Sequence, residues 1–185
     1  MAGFQPWVNL AANDKMSAPA CRDVPPAGVP VINLDGGVQV RVIAGAALGV
    51  AGAVQRPTTE PLVLDILLPA GQSFDAVVPA GHNAFAYVYG GGTVVVGESE
   101  CEGEGEGPAG GTRAGARVES ERMAILANDA AADGVRLVAE TDARVLLVAG
   151  APLHEPIAQH GPLVMNSRAE IHQAVADFQR GALAS

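Results

Sequence analysis

The side chains best suited to chemistry in this chain are its four histidines, His82, His154, His160 and His172. Imidazole is the commonest metal ligand and the group that titrates nearest neutral pH. Their spacing forms no HxH pair and no HExxH run, the arrangements that bring two imidazoles to one ion. His154 and His160 fall in a Pro/Gly loop, His172 on the polar side of a predicted helix, and His82 just ahead of a predicted strand, so each reads as a structural or surface side chain. No GxSxG surrounds a serine, which excludes a nucleophile elbow. Paired carboxylates for acid–base work must sit on rigid strands, yet most acidic residues here fall in loops. Asp65, inside the apolar run Leu62–Leu68, is the exception. Gly45, Gly49 and Gly52 follow a strand-like run, but Ala47 stands where a GxGxxG turn needs its second glycine. The segment Arg56–Pro61, with two prolines, then occupies the place of the required helix, which argues against a dinucleotide turn.

The elements that must position these groups are mostly strands. The 185 residues are 49% hydrophobic, enough for one domain with a sizeable core. After a Pro-rich stretch from Pro19 to Pro30, short β-branched runs are separated by Gly, Pro and Asp, the pattern of an all-β barrel or sandwich. Val38, Val40 and Val42 alternate with Gln39 and Arg41, as in a half-buried strand. Further strands are predicted at Leu62–Leu68, Ala84–Tyr89, Thr93–Val96, Met123–Ala127, Val135–Ala139 and Ala143–Val148. The triplet Gly90–Gly92 has the freedom of a tight hairpin and predicts antiparallel pairing of the strands on either side. Near the end, Ser167 and Glu170 have capping-box spacing, and Ile171, Ala174, Val175 and Phe178 follow at helical intervals, predicting a helix over 167–180 that Gly181 stops. Residues 98–115 form a Glu/Gly-rich insert, read as a flexible, solvated loop whose glycines do not preorganise carboxylates around a cation.

The net charge of −9 repels phosphate backbones, and the eleven basic residues are scattered, so no direct nucleic-acid partner is expected. The N-terminal residues Met1–Leu10 lack a secretory pattern, and no apolar stretch approaches a bilayer span, so no membrane partner is expected. Cys21 and Cys101 lie far apart and outside any CxxC spacing, which fits reduced thiols in a cytoplasmic or nuclear setting.

Several blocks, taken in order, carry a more specific signal. They are Trp7-Val8-Asn9-Leu10 with Asp14-Lys15-Met16, Val40-Arg41-Val42-Ile43-Ala44-Gly45 with Ala47-Leu48-Gly49, and Pro79-Ala80-Gly81-His82-Asn83-Ala84-Phe85-Ala86-Tyr87. They continue with Gly150-Ala151-Pro152-Leu153, Glu155-Pro156-Ile157-Ala158-Gln159-His160-Gly161-Pro162 and Val164-Met165-Asn166. In these blocks the chain resembles the C-terminal domain of pirins, a bicupin family, over about residues 4–180. The resemblance implies a single cupin-type double-stranded β-helix, an all-β jelly-roll barrel with one C-terminal α-helix, over residues 1–185. It implies too that iron, held by histidines and a glutamate, belongs to the N-terminal cupin of the family, with which quercetin 2,3-dioxygenase activity and transcriptional co-regulation are associated. That half is not in this sequence, which reads as a fragment, a truncated gene model or a single-domain relative.

Anchoring the resemblance on Tyr87-Val88 and Gly91 puts Val78, Ala80 and Ala84 where the first three metal ligands of a cupin would stand, and the region Gly134–Val148 holds no histidine. The expectation is therefore no metal, no cofactor and no catalytic residue in this chain. The leading functional expectation is a non-catalytic support or protein-interaction module, its partner a protein or a pirin-type metal-bearing cupin. Trp7, Ile171, Val175 and Phe178 are its candidate interface, with burial in the domain's own core as the alternative for each. A second expectation is one part of a quercetin 2,3-dioxygenase whose iron-binding half is supplied elsewhere. A third is a cupin binding a small apolar ligand at the barrel mouth, with His82 and Tyr87 as candidate site residues.

Overall fold

A computed structural model of the chain describes residues 3–18, 21–98, 115–128 and 134–182. Most of the Glu/Gly insert, Cys101 included, lies outside the described residues. The chain divides into two compact units, one of Val24–Pro152 and one of Met1–Asp23 with Leu153–Ser185.

The larger unit is built from two antiparallel sheets. Its strands are β1 (Val31–Asn33), β2 (Gln39–Ala44), β3 (Ala46–Ala47), β4 (Val50–Ala51), β5 (Leu62–Leu68), β6 (Ser73–Val77) and β7 (Asn83–Gly91). They continue with β8 (Val94–Glu98), β9 (Ala116–Val118), β10 (Arg122–Ile125), β11 (Gly134–Ala139) and β12 (Ala143–Gly150). One sheet has six strands in the order β1-β2-β5-β12-β7-β10, the other four in the order β6-β11-β8-β9. Neighbours in space are distant in sequence, as with β5 beside β12, which is the mark of a jelly roll rather than a meander.

Alternation along each strand decides which side chains face inward. Val40 and Val42 of β2, Leu64, Ile66 and Leu68 of β5, Ala86 and Val88 of β7, and Val145 and Leu147 of β12 line the inner face of the large sheet. Phe74 and Ala76 of β6, Val94 and Val96 of β8, Val118 of β9, and Val135, Leu137 and Ala139 of β11 meet them from the small sheet in one continuous core. Each fully buried Val or Leu contributes about 1.5–3 kcal/mol, so this interface dominates the stability of the unit.

The glycine triplet does something other than turn a hairpin. β7 pairs with β12 and β10, whereas β8 pairs with β11 and β9, so the chain crosses between the sheets at Gly90–Gly92. A Cβ on Gly91, whose φ is +82°, would stand 2.0 Å from the Asp142 carbonyl oxygen, and one on Gly92 would stand 1.6 Å from Thr141 Oγ1. Glycine is needed because the turn before β12 approaches the crossover backbone. A register shift between Arg144 and Val145 makes Tyr89 the extra residue of a bulge.

The smaller unit holds β13 (Ala158–His160), β14 (Leu163–Met165) and α1 (Arg168–Gln179), the α-helix among the described residues. The helix begins as its sequence predicts. Ser167 accepts from the Glu170 backbone N–H at 3.3 Å, while Glu170 Oε2 accepts from the Ser167 N–H at 2.7 Å. Bonding to Ser167 is the leading influence on the Glu170 carboxyl and holds it below its ordinary value, with the Ser167 and Asn166 backbone N–H groups adding to the effect. At the other end, Gly181 N–H donates to Phe178 O at 3.0 Å and Ala182 N–H to Asp177 O at 2.8 Å. This is a Schellman closure with glycine in the left-handed position at φ +70°. No helix among the described residues is long and apolar enough to cross a membrane.

Candidate functional site

One set of polar side chains meets at a rim of the larger unit, between the turn Pro79–His82 and the segment joining β4 and β5. In the turn, His82 N–H donates to Pro79 O at 3.1 Å, and Gly81 takes the left-handed position at φ +82°. Asn128 Nδ2 donates to Gly81 O at 3.0 Å and to Asn83 Oδ1 at 3.2 Å, tying the turn to the segment after β10. The His82 side chain is thereby held 9% exposed, with Nε2 3.3 Å from Glu60 Oε2. Its Nδ1 is buried and has no hydrogen-bond partner. Burying a ring nitrogen unpaired costs about 1–3 kcal/mol.

The facing segment is equally constrained. Glu60 N–H donates to Arg56 O at 3.0 Å, and Glu60 sits at φ +40°, in the left-handed region. That conformation costs a side-chain-bearing residue about 1–2 kcal/mol. Thr59, 6% exposed, anchors the segment by accepting from Ala151 N–H at 3.0 Å. Gln55 Nε2 donates to Gly45 O at 2.6 Å and Gly52 O at 3.2 Å. Gly45 and Gly52 therefore belong to close backbone packing: a Cβ on Gly45 would lie 2.6 Å from Pro61 O, and one on Gly52 2.9 Å from Val42 O. Leu48 and Gly49, both at positive φ, turn the short β3–β4 hairpin.

Between the two segments lies a groove of about 430 Å³ whose lining includes Arg56, Pro57, Glu60, Leu62, Val77 and His82. His82 also lines a smaller recess with Val78, Ala84, Leu126 and Asn128. Among the described residues, Arg56 has no carboxylate partner.

Tyr87 is not part of this rim. Strand alternation puts it on the outer face of β7, where it packs with Val63, Leu146, Val148 and Tyr89, opposite the core-facing Ala86 and Val88. His82 and Tyr87 therefore do not converge, and the partner of His82 is Glu60, which sequence reasoning missed. Asp65 also faces outward, accepting from Tyr89 Oη at 2.6 Å with Arg41 Nη1 at 3.8 Å. Burial first, then the bond to Asp65, push the Tyr89 phenol above its ordinary value, and Arg144 partly offsets them.

The candidate interface residues separate within the smaller unit. Ile171 and Val175 pack with Met165, Ala174, Ala158 and Leu163 in that unit's own core. Trp7, 71% exposed, and Phe178, 70% exposed, are open to solvent. His154, His160 and His172 are exposed.

The positions aligned with metal ligands do not fit iron. Val78 and Ala84 are buried among the core side chains and Ala80 is at the exposed turn, so none offers a donor atom. Facing them, β11 and β12 direct Val135, Leu137, Ala139, Val145 and Leu147 inward. Among the described residues no three His, Cys, Asp or Glu side chains are grouped to hold an ion.

Two antiparallel sheets with jelly-roll connectivity, closed on an apolar interior, define the larger unit as a cupin barrel. More particularly, the chain belongs to the family of the pirin C-terminal cupin domain, whose model matches residues 63–184. It is 43% identical over its whole length to a Pseudomonas aeruginosa protein provisionally named a quercetin 2,3-dioxygenase, covering 60% of that protein. It is 40% identical to a pirin-like protein of Caulobacter vibrioides, over 98% of this chain and 58% of the relative. A solved quercetin 2,3-dioxygenase from Acinetobacter baumannii superposes with a TM-score of 0.79 at 34% identity, covering 97% of this chain and 56% of that one. The chain thus spans somewhat over half the length of the relatives it matches.

Proposed function

We propose that this chain acts as the supporting, non-metal cupin of a pirin-type protein, contributing a folded surface for a partner rather than a reaction centre. The observation that carries this reading is the interior of the barrel. Where a metal cupin needs converging donors, this one has Val78, Ala84, Leu137 and Leu147, side chains that fill space and bind no cation. The exposed Trp7 and Phe178 support a partner-binding role, because large aromatic side chains dominate buried contacts when a partner covers them.

A second reading, in which the chain is one part of a quercetin 2,3-dioxygenase, is supported by the names of the Pseudomonas and Acinetobacter relatives and by their greater length. One experiment addresses both. The intact chain is mixed with the separately expressed remainder of the Pseudomonas relative, association is followed by sedimentation velocity, and quercetin depletion is followed in the same samples. Association that Trp7→Ala or Phe178→Ala weakens is the outcome expected of a supporting module, and turnover that needs both pieces is expected of the dioxygenase reading. No association at micromolar concentrations contradicts the supporting role, and no turnover in the mixture contradicts the dioxygenase reading.

A further inference from the structure

The sheets of the larger unit end in β1, β10, β6 and β9. A sheet edge presents unpaired N–H and C=O groups, and short length, charge or a neighbouring proline keeps other strands from adding to it. β1 has three residues, follows Pro30 and ends on Asn33. β9 also has three, and its outward Arg117 is paired with Glu140. β6 carries Asp75 at its centre, with Arg136 Nε 3.8 Å away. β10 lacks such protection. Its charge, Arg122, stands at the first position, and its outward side chains are Met123, 52% exposed, and Ile125, 79% exposed. The backbone of the same two residues is open. Leu126 N–H donates to Ala84 O at 2.9 Å, and the register places Ala124 opposite Ala86 and Arg122 opposite Val88. Alternate residues of an antiparallel strand bond to one neighbour, so Arg122, Ala124 and Leu126 serve β7, and the N–H and C=O groups of Met123 and Ile125 point to the free edge. A groove of about 580 Å³ runs beside them, with Val118, Glu119, Met123 and Ala124 in its lining, and leaves space for a further strand.

From this edge we infer that β10 pairs antiparallel with β10 of a second copy of the chain, joining two large sheets across a twofold axis. The residue order of the strand selects both occupant and register. With Ala124 of each copy on the axis, Met123 of one copy faces Ile125 of the other. These residues then exchange both backbone bonds, and their side chains form apolar pairs on one face of the joined sheet. Alanine on the axis suits the close backbone approach of a pair that is not hydrogen-bonded. Registers centred on Glu121 or Arg122 set like charges directly opposite, and one centred on Met123 sets Ile125 opposite Glu121. Centring on Ile125 leaves Met123 opposite Ala127, beyond the end of the strand. β10 is thus complementary to itself, as an isologous contact requires. One four-residue strand against another falls well below the roughly 1,200 Å² of a standard interface, so the dimer is weak, with a Kd on the order of 100 µM. The net charge of −9 on each copy opposes association, so salt strengthens it. The inference does not rest on the supporting role, since β10 belongs to the larger unit and Trp7 and Phe178 to the smaller.

The test follows the intact chain, kept reduced, by sedimentation equilibrium from about 10 to about 500 µM, where mass action carries a weak dimer from sparse to abundant. A monomer–dimer equilibrium is expected, tightening several-fold between about 50 mM and about 500 mM sodium chloride. Ile125→Lys puts a charge on the open edge and is expected to weaken association about tenfold or more. The register is read in a chain carrying Cys21→Ser and Cys101→Ser. There, a mixture of Met123→Cys and Ile125→Cys chains is expected to form a mixed disulfide faster than either chain couples to itself. A chain that stays monomeric over the whole range overturns the inference, as does a dimer that Ile125→Lys leaves intact or that salt dissociates. Self-coupling of Met123→Cys as fast as the mixed reaction overturns the register. Sedimentation of the parent chain needs no variant, so a substitution that unfolds the protein leaves the test intact.

Discussion

The inside of the barrel and its rim have opposite chemistry within one fold. Inward positions of both sheets carry Val, Leu, Ile, Ala and Phe in one packed core, whereas the rim between the Pro79–His82 turn and the β4–β5 segment holds the His82 imidazole beside the Glu60 carboxylate, on a left-handed backbone, together with Arg56. A metal cupin places its reactive donors along the barrel interior; here that space is filled by packed apolar side chains, and the His82–Glu60 pair stands at the edge. A cupin frame can therefore carry apolar side chains such as Val78 and Ala84 inside the barrel and hold polar groups at its rim.

The comparison breaks first, if it breaks, in the core. Leu137→Ala removes a fully buried side chain at the contact of the two sheets and is expected to cost about 2–5 kcal/mol in denaturant unfolding. A loss below about 1 kcal/mol would mean that the interior is not the packed body described here. The next largest effect belongs to the rim. Gly45→Ala forces a Cβ to 2.6 Å from Pro61 O at a φ of +77°. It is expected to destabilise by about 1–3 kcal/mol and to distort the groove wall, visible as shifted His82 resonances.

A smaller effect lies on the outer face of the large sheet. With Tyr87→Phe removing the other tyrosine, ultraviolet titration is expected to find Tyr89 ionising above the ordinary tyrosine value, and Asp65→Asn to bring it down. The sign follows from linkage: a pKa raised on folding favours the protonated phenol, so its contribution is complete below the unfolded value near 10 and is lost as pH rises through the folded value. The smallest effect is at α1. The Glu170 carboxyl is held low, so its contribution is present above the unfolded value of 4.5 and fades as pH falls through the folded one. Glu170→Gln is expected to flatten that acid dependence of melting temperature only slightly, because the group is exposed and screened by solvent.

Strong local signals made much of this legible in the sequence. The strand Leu62–Leu68 is where its apolar run put it, and the Ser167–Glu170 box starts the helix as its spacing requires. Gly90–Gly92 misled because the same three residues suit a hairpin or a tight crossover, and only the approach of the Thr141–Asp142 turn distinguishes them. β6 was not anticipated: Ser73 to Val77 alternates as a strand should, but its inward residues are Phe74 and the small Ala76. At the site, His82 was visible as a side chain ahead of a strand. Its pairing with Glu60 was not, since a proline-bounded turn distant in sequence supplies that carboxylate. Tyr87 was misplaced because both faces of β7 are apolar, Ala84, Ala86 and Val88 on one and Phe85, Tyr87 and Tyr89 on the other, so alternation alone did not say which faces inward.

The measurement closest to the central claim is metal stoichiometry of the purified chain after ferrous loading and desalting, by elemental mass spectrometry, with quercetin depletion on the same sample. The expected result is iron far below one equivalent and no depletion by this chain alone. One equivalent of retained iron with quercetin turnover would show a donor set that the Val78, Ala80 and Ala84 positions do not provide, and would contradict the account.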